Sequence, residues 1–590
     1  MYKDTYCGDL RLADAGRAVR LAGWVHRRRD HGGLIFLDLR DSKGIVQLVI
    51  NPEMADVHNI AHRLRNEWCI AIEGEVRPRD IATVNPNMPT GEVEIIPTRC
   101  EVLGESLTPP FYINEPAEVD EQLRLKYRYL DLRRPETAHA IRLRHPVVRH
   151  IRDFLSNRDF IEVETPTLIK STPEGARDFL VPSRTRPGHF FALPQSPQIM
   201  KQLLMVAGIE RYFQIARCYR DEDTRANRVA EHTQLDLEMS FVHQEDVMAI
   251  IEELYTEIAE RFGDVRKLAT KPFPRLDYQY CVDTYGIDRP DLRFGLQLVS
   301  IAEPLKASGF QVFSGALAAG GQIKAIRVPA SAEMTRKEID ELTEVARGGG
   351  AKGLAYIGYQ ANGELRSPIA KFLTPEEIEG VKAATAAEPG DMVFIVADVP
   401  EIVAKALHLV RDALGTKLGL KDPHVLSFEW VVGFPLLEWH PDEGRWDATH
   451  NPFCGFPESE RAILATDPGK ALSYQYDLVC NGEEVGGGSI RINNRPDQEM
   501  VFRMMGHNDE QQRDRFGVIL DALEYGAPPE GGVGMGIDRL CAILLGTDSI
   551  REVMAFPKSN SGSDPLMGAP STVDIAQLDE LGLMLKEPAK

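Results

Sequence analysis

Between residues 17 and 50, short runs of alternating apolar and polar positions are broken by glycine-rich turns. LIFLDL (34–39) and IVQLVI (45–50) set their apolar side chains on one face at a period of two, as half-buried strands do. Residues 52–66 change to helical spacing, with Pro52 in a first-turn position and His58, Ala61, His62 and Leu64 along the helix. Two more strand-like runs follow, CIAIEGEV (69–76) and EVEIIPTRCEVL (92–103). Three strands, a helix and two strands is the order of a five-stranded OB barrel, predicted here for residues 1–104.

Residues 104–120 hold three prolines and few periodic positions, so 105–135 reads as a hinge. From residue 136 the pattern is mixed α/β. Within it, 286–424 has strand and helix signals of its own, GQIKAIRVPA and then TRKEIDELTEVARG, and reads as an inserted α+β domain. The flanking segments 136–285 and 425–560 then form one split domain, and 561–590 a C-terminal extension.

Composition narrows the class. The 590 residues exceed one ordinary core, and the hydrophobic (43%) and charged (27%) fractions are those of a soluble globular protein. No apolar run approaches the roughly 20 residues that span a bilayer, and the start MYKDTYCGDLRL resembles neither a signal nor a transit peptide. A cytoplasmic protein without membrane association is expected. The eight cysteines are scattered without a C-x-x-C pair, against zinc and against a disulfide framework. A net charge of −21 does not advertise nucleic-acid binding, although Arg27–Arg29 and the basic positions from Arg124 to Arg144 are local patches.

Three segments carry charged chemistry. VVRHIRDFLSNRDFIEVETPTL (147–168) reads as a helix and a strand that stops at Pro166. RYFQIARCYRDEDTRANRVAEHTQLDLEMSF (211–241) reads as two strands around a polar loop, with Arg220, Glu222, Asp236 and Glu238 on the strand face. PPEGGVGMGIDRLCAILLG (528–546) reads as a glycine-rich turn entering an apolar helix with Arg539 in its first turn, a polyphosphate-binding arrangement. In this order the three resemble the signature motifs of class II aminoacyl-tRNA synthetases. TPEGARDF (172–179), LPQSPQIMKQLLMVAG (193–208), YGIDRPDLRFG (285–295) and EVGGGSIRI (484–492), together with the insertion, are similar to the bacterial aspartyl type.

That resemblance implies an enzyme that activates L-aspartate with ATP and loads it onto tRNA(Asp), working as a homodimer through the first motif. It implies Arg220, Glu222 and Arg539 as catalytic residues. The aspartate pocket would comprise Glu174, Ser196, Gln198, Lys201, Arg220, Asp236, His450 and Arg491, with the Arg491 fork accepting the substrate carboxylate. ATP would meet Arg220, Asp221, Glu222, Val229, His232, Glu484, Gly536, Ile537, Asp538 and Arg539. Asp477 and Glu484 would hold Mg²⁺, and no zinc is implied. In the barrel, Phe36 would stack an anticodon base beside Arg29, Gln47 and Glu94. His31 and the small Ala82 resemble members that also charge tRNA(Asn).

The chain departs from the family pattern in places. Val229 stands for a usual glutamine and His232 for a usual phenylalanine, in a loop that also holds Arg225, Ala226 and Asn227. Gly433, Asn451, Cys454 and Glu530 stand where Asp, His, Thr and His are usual. Two other readings stay open at this point: a catalytically silent tRNA-binding relative, and an asparaginyl or lysyl enzyme.

Overall fold

Residues 1–172, 177–223 and 228–586 are described by a computed structural model. The chain divides into two units, Met1–Ala138 with Asp564–Met567, and His139–Ser563 with Gly568–Lys590.

In the first unit, β1 (Ala18–His31), β2 (Leu34–Arg40), β3 (Ile45–Ile50), β4 (Cys69–Pro78) and β5 (Val93–Gly104) close a barrel in the order β1-β2-β3-β5-β4. Every pair is antiparallel except β3–β5. The period-two pattern has the expected result. Ile35, Leu37 and Leu39 point inward to meet Val19, Leu21, Val46, Ile70 and Ile95, while Phe36 stays half-buried on the outer face. The helix α1 begins at Ala55, not at Pro52, because residues 51–54 form a turn closed by the Met54 N–H to Asn51. His31 ends β1 and the glycine turn starts after it. Four of the basic residues from Arg124 onward are paired internally. Arg124, Arg128 and Arg134 converge on the wholly buried Asp131, and Arg133 pairs with Glu67 at 3.0 Å.

The second unit is organised by an eight-stranded sheet. Its strands are β6 (Ile161–Glu162), β7 (Arg211–Tyr219), β8 (Glu231–Ser240), β9 (Arg275–Asp277), and, from Phe428–Val432 onward, the four strands that complete it. The helix α2 (Pro135–Ser156) supplies Val147, Ile151, Phe154 and Leu155 to the core over this sheet. A second helix, Gln244–Phe262, adds Val247, Ile251 and Leu254 to the same core. The first-motif strand is shorter than its sequence pattern. As an edge strand with one neighbour, β6 pairs only Ile161 and Glu162 with β7 before the chain leaves toward Pro166.

Between Leu298 and Asp398 the chain builds a separate five-stranded sheet. It contains β10 (Leu298–Ser300), β11 (Gln322–Val328), β12 (Ala355–Tyr359), β13 (Leu365–Arg366) and β14 (Met392–Asp398), in the order β10-β11-β14-β12-β13. Its helix Arg336–Gly348 starts where Thr335 and Glu338 form a reciprocal cap. The main sheet resumes with β15 (Phe428–Val432), β16 (Gln475–Cys480), β17 (Glu483–Ile490) and β18 (Glu530–Gly536). Its full order is β9-β15-β16-β17-β18-β8-β7-β6, antiparallel except at its two ends. Two further helices bear on the site, α3 (Gln198–Val206) and α4 (Ile537–Leu545).

Candidate active site and barrel groove

The strand β8 sends Leu235, Leu237 and Met239 into the core, and Asp236 and Glu238 to the opposite face, where they are also buried. Buried carboxylates need partners. Lys201 of α3, 2% exposed, places its Nζ 2.7 Å from Asp236 Oδ1 and 3.0 Å from Glu238 Oε2. Arg491, just past β17, holds Glu238 with Nε at 2.8 Å and Nη2 at 3.2 Å, and its Nη1 donates to Ser489 Oγ at 2.7 Å. Burial works against the Glu238 carboxylate, but Arg491 and Lys201 outweigh it and hold its pKa below the usual value. Burial keeps the Asp236 carboxyl raised in spite of Lys201.

The fork expected of Arg491 is shared: its side-on edge holds Glu238. Of the five N–H donors of a guanidinium, three are committed, which leaves one on Nη1 and one on Nη2.

Glycines make room for the group. β17 and β18 lie side by side with Gly487 opposite Gly534, and on the other side Gly532 faces Glu238 and Gly534 faces Asp236. A Cβ on Gly532 would sit 2.0 Å from Glu238 Oε2, and one on Gly487 2.2 Å from Asp477 Oδ1. The segment read as a glycine-rich turn is therefore a strand, and its glycines serve close side-chain approach, not chain reversal.

Other residues expected in the amino-acid pocket lie on the same α3 side or along the cleft. Gln198 opens α3, and its backbone N–H donates to Ser196 Oγ at 3.3 Å. His450 is open to the cleft, yet burial, then Arg491, Lys201 and Arg220, push its imidazole down to about 3, so it is neutral. Glu174 lies outside the described residues, as do Arg225, Ala226 and Asn227.

Arg220, Val229, His232, Glu484, Gly536 and Arg539 line a neighbouring cavity of about 160 Å³. Arg220 follows the end of β7, where its N–H meets the Ala230 carbonyl at 2.8 Å and its Nε has no hydrogen-bond partner among the described residues. Arg539, in the first turn of α4, donates to the Glu484 carbonyl. Burial and Arg220 push His232 down to about 4.

Several expected nucleotide contacts have other engagements. Arg220 and Glu222 lie beyond the strand, not on its face, and Glu222 bonds Arg228 at 2.7 Å. The backbone of Asp221 forms a β-bridge with Arg177, its N–H donating to the Arg177 carbonyl at 3.0 Å. The Asp538 carboxylate is held by Arg144 and by the Thr233 N–H at 2.7 Å, although the residue borders the cavity. Ile537 turns its side chain into the core, and Val229 belongs to that core while touching the cavity.

Asp477 stands on β16 and Glu484 on β17. Burial, and then the Glu484 charge, raise the Asp477 carboxyl well above the usual range. A hard divalent cation would relieve that repulsion, so the pair fits Mg²⁺ in its chemistry; the Asp477 carboxylate lies against the bare Gly487 and accepts from Gln475 Nε2 at 3.2 Å. Among the described residues no three His, Cys, Asp or Glu side chains form a metal cluster. Two carboxylates would thus leave further positions to phosphate oxygens and water.

On the barrel, Arg29, His31, Phe36, Gln47 and Thr83 share a groove of about 460 Å³ with Asp38 and Arg79. The His31 ring meets the Phe36 ring edge-on at 5.9 Å. Asp38 accepts from Arg29 and from Gln47, each at 3.3 Å, and so orients both. Arg79 lies 4.0 Å from Glu94, donates to the Val93 carbonyl, and among the described residues keeps Nη2 without a partner. Ala82 is exposed in the short turn Ile81–Thr83 beside this groove. The sequence reading missed Asp38 and Arg79. The pairing of β2 with β3 sets Asp38 opposite Gln47, a register the sequence alone does not reveal.

Known proteins share both parts of this architecture. Residues 120–560 match the model of class II tRNA synthetases (D, K and N), and residues 19–103 match the OB-fold nucleic acid binding domain. The chain is 53% identical over 580 residues to the aspartate--tRNA(Asp/Asn) ligase of Syntrophomonas wolfei, covering 98% of each chain. It is 51% identical to the ligase of the same name from Rubrobacter xylanophilus, covering 100% of this chain and 98% of that one. Among solved structures, the asparaginyl-tRNA synthetase of Pyrococcus horikoshii shares the fold with a TM-score of 0.59 at 19% identity, over 95% of this chain and 99% of that one.

Proposed function

The chain belongs to the class II tRNA synthetase family of aspartate, lysine and asparagine enzymes, and on that premise we propose that it is an aspartate–tRNA ligase. It activates L-aspartate with ATP to aspartyl-adenylate and transfers the aspartyl group to the 3′ end of tRNA(Asp) and tRNA(Asn). The observation that carries the reading is the charge-balanced group of Lys201, Asp236, Glu238 and Arg491 beside a cavity edged by Arg220 and Arg539.

The chemistry needs no covalent enzyme intermediate. The aspartate α-carboxylate attacks the α-phosphate and pyrophosphate leaves. A ribose hydroxyl of the tRNA terminus then attacks the aspartyl carbonyl and AMP leaves. Catalysis is positioning and charge stabilisation in a water-poor site. Arg220, whose Nε is unpartnered, would bind the α-phosphate and the reacting carboxylate, and Arg539 the γ-phosphate. The outer N–H pair of Arg491 suits a substrate carboxylate, whereas an asparagine amide would oppose donor to donor. Asp477 and Glu484 would hold Mg²⁺, which neutralises charge on the departing pyrophosphate.

Residues 1–104 would read the anticodon through the Phe36 groove, an aromatic with flanking arginines as single-strand binders use. Residues 286–424 would be the insertion. Charging of both tRNAs is supported by the names of the two relatives, by His31 in that groove and by Ala82 in the turn beside it. A homodimer through the first motif and a cytoplasmic setting complete the proposal. No helix among the described residues is long and apolar enough to cross a membrane. Aspartate-dependent ATP–pyrophosphate exchange tests the first step, and charging of the two purified transcripts tests the second. Exchange that responds to asparagine or lysine and not to aspartate would overturn the reading.

A further inference from the structure

Behind the amino-acid pocket runs a line of polar contacts that the chemistry above does not use. Gln198 Nε2 donates to Gln202 Oε1 at 3.2 Å, and Gln202 Nε2 donates to Glu530 Oε1 at 3.4 Å. Gln202 and Glu530 are wholly buried, and Gln198 nearly so. Glu530 opens β18 opposite Ser240, and its carbonyl receives the Arg491 N–H at 2.9 Å. Its Oε2 has no hydrogen-bond partner among the described residues.

An ionised carboxylate with a bare buried oxygen beside Glu238 is costly, whereas a carboxylic acid is tolerable. Burial and the Glu238 charge raise the Glu530 pKa well above the usual range, against Arg491, Gln202 and Lys201. With the proton on Oε2, Oε1 is left as the acceptor that the Gln202 contact requires. It draws the Gln202 amide N–H toward itself, which turns the Gln202 carbonyl toward Gln198. That contact in turn fixes the Gln198 amide N–H on the relay and leaves Gln198 Oε1 as the acceptor end. A carbonyl oxygen at that end suits an ammonium group.

We propose that Glu530 is a positioning residue. Through Gln202 it sets the orientation of the Gln198 amide, and with it the affinity for the ammonium-bearing amino-acid substrate. The inference rests on the reading of this site as an aspartate pocket.

The test is aspartate-dependent ATP–pyrophosphate exchange by the full-length protein and three variants. Glu530→Leu and Gln202→Met each interrupt the relay, one from either side, so a folding defect in one leaves the other informative. Both should raise the KM for aspartate about tenfold, with the KM for ATP and kcat within about threefold of wild type. Glu530→Gln keeps the carbonyl acceptor and should restore the aspartate KM to near the wild-type value. An unchanged aspartate KM in both interrupting variants, equal rises for both substrates, or a Glu530→Gln defect matching Glu530→Leu would each overturn the relay while leaving the function intact. A wild-type protein without aspartate-dependent exchange would overturn the pocket reading and the relay together.

Discussion

Replacing Arg491 with methionine separates what this guanidinium does for the fold from what it does for the substrate. In the structure it is almost wholly buried and bound to Glu238 through Nε and Nη2. Its loss leaves Glu238 with Lys201 alone at 3.0 Å, and stranding one member of a buried pair costs about 3–5 kcal/mol. Adding Glu238→Gln removes the stranded charge and should return about half or more of that loss, read as a recovery in the urea midpoint. Activity behaves differently. The two remaining N–H donors go with the arginine, and a charge-assisted bidentate pair to a carboxylate is worth about 3–4 kcal/mol, so kcat/KM for aspartate falls roughly 10²–10³-fold in both variants. The assay is aspartate-dependent exchange beside urea unfolding. Near-normal exchange by Arg491→Met, or recovery of exchange together with stability in the double variant, would refute the reasoning.

Other outcomes follow from the same geometry. His232→Phe enlarges the stacking surface in the nucleotide cavity and should lower the KM for ATP a few-fold with the aspartate KM unchanged, both read from exchange kinetics. Because the wild-type imidazole is pushed down to about 4, it gains a proton only in acid; the ATP KM should therefore be flat between about pH 6 and 8. Asp477→Asn removes one of the two carboxylates proposed to hold the cation, and the Mg²⁺ concentration for half-maximal exchange should rise about tenfold or more, measured by titrating Mg²⁺ at fixed ATP. Phe36→Ala should weaken tRNA by roughly 1–3 kcal/mol, seen as a higher KM in charging, while pyrophosphate exchange stays at the wild-type rate.

The barrel was legible because its strands obey a simple period and its turns carry glycine. Ile35, Leu37 and Leu39 announce an inward face, and the structure places them there. The family motifs were legible as an ordered set of charges, but their engagements were not. Nothing in the local pattern around residue 491 indicates that Glu238, distant along the chain, takes one edge of the guanidinium. Nor do the glycines of 531–536 signal a strand, since residues without side chains show no alternation; only the carboxylates packed against them explain the choice. Gly433 shows the same limit. Its φ of 73° is a backbone conformation that favours glycine over the aspartate usual at that position, which the sequence registered only as a departure. The basic residues after 124 misled for a related reason: a run of arginines reads as a surface until Asp131 is seen beneath it.

The account rests on aspartate being delivered to two tRNAs by one site, and the most direct measurement is charging. Purified tRNA(Asp) and tRNA(Asn) transcripts are incubated with the full-length protein, ATP, Mg²⁺ and labelled aspartate, and kcat/KM is compared for wild type and His31→Leu. The account predicts aspartylation of both, within about 100-fold of each other, roughly 2.7 kcal/mol, and a shift toward tRNA(Asp) in the variant. A wild-type preference for tRNA(Asp) beyond that range would contradict dual charging, and labelling of neither transcript would contradict the function itself.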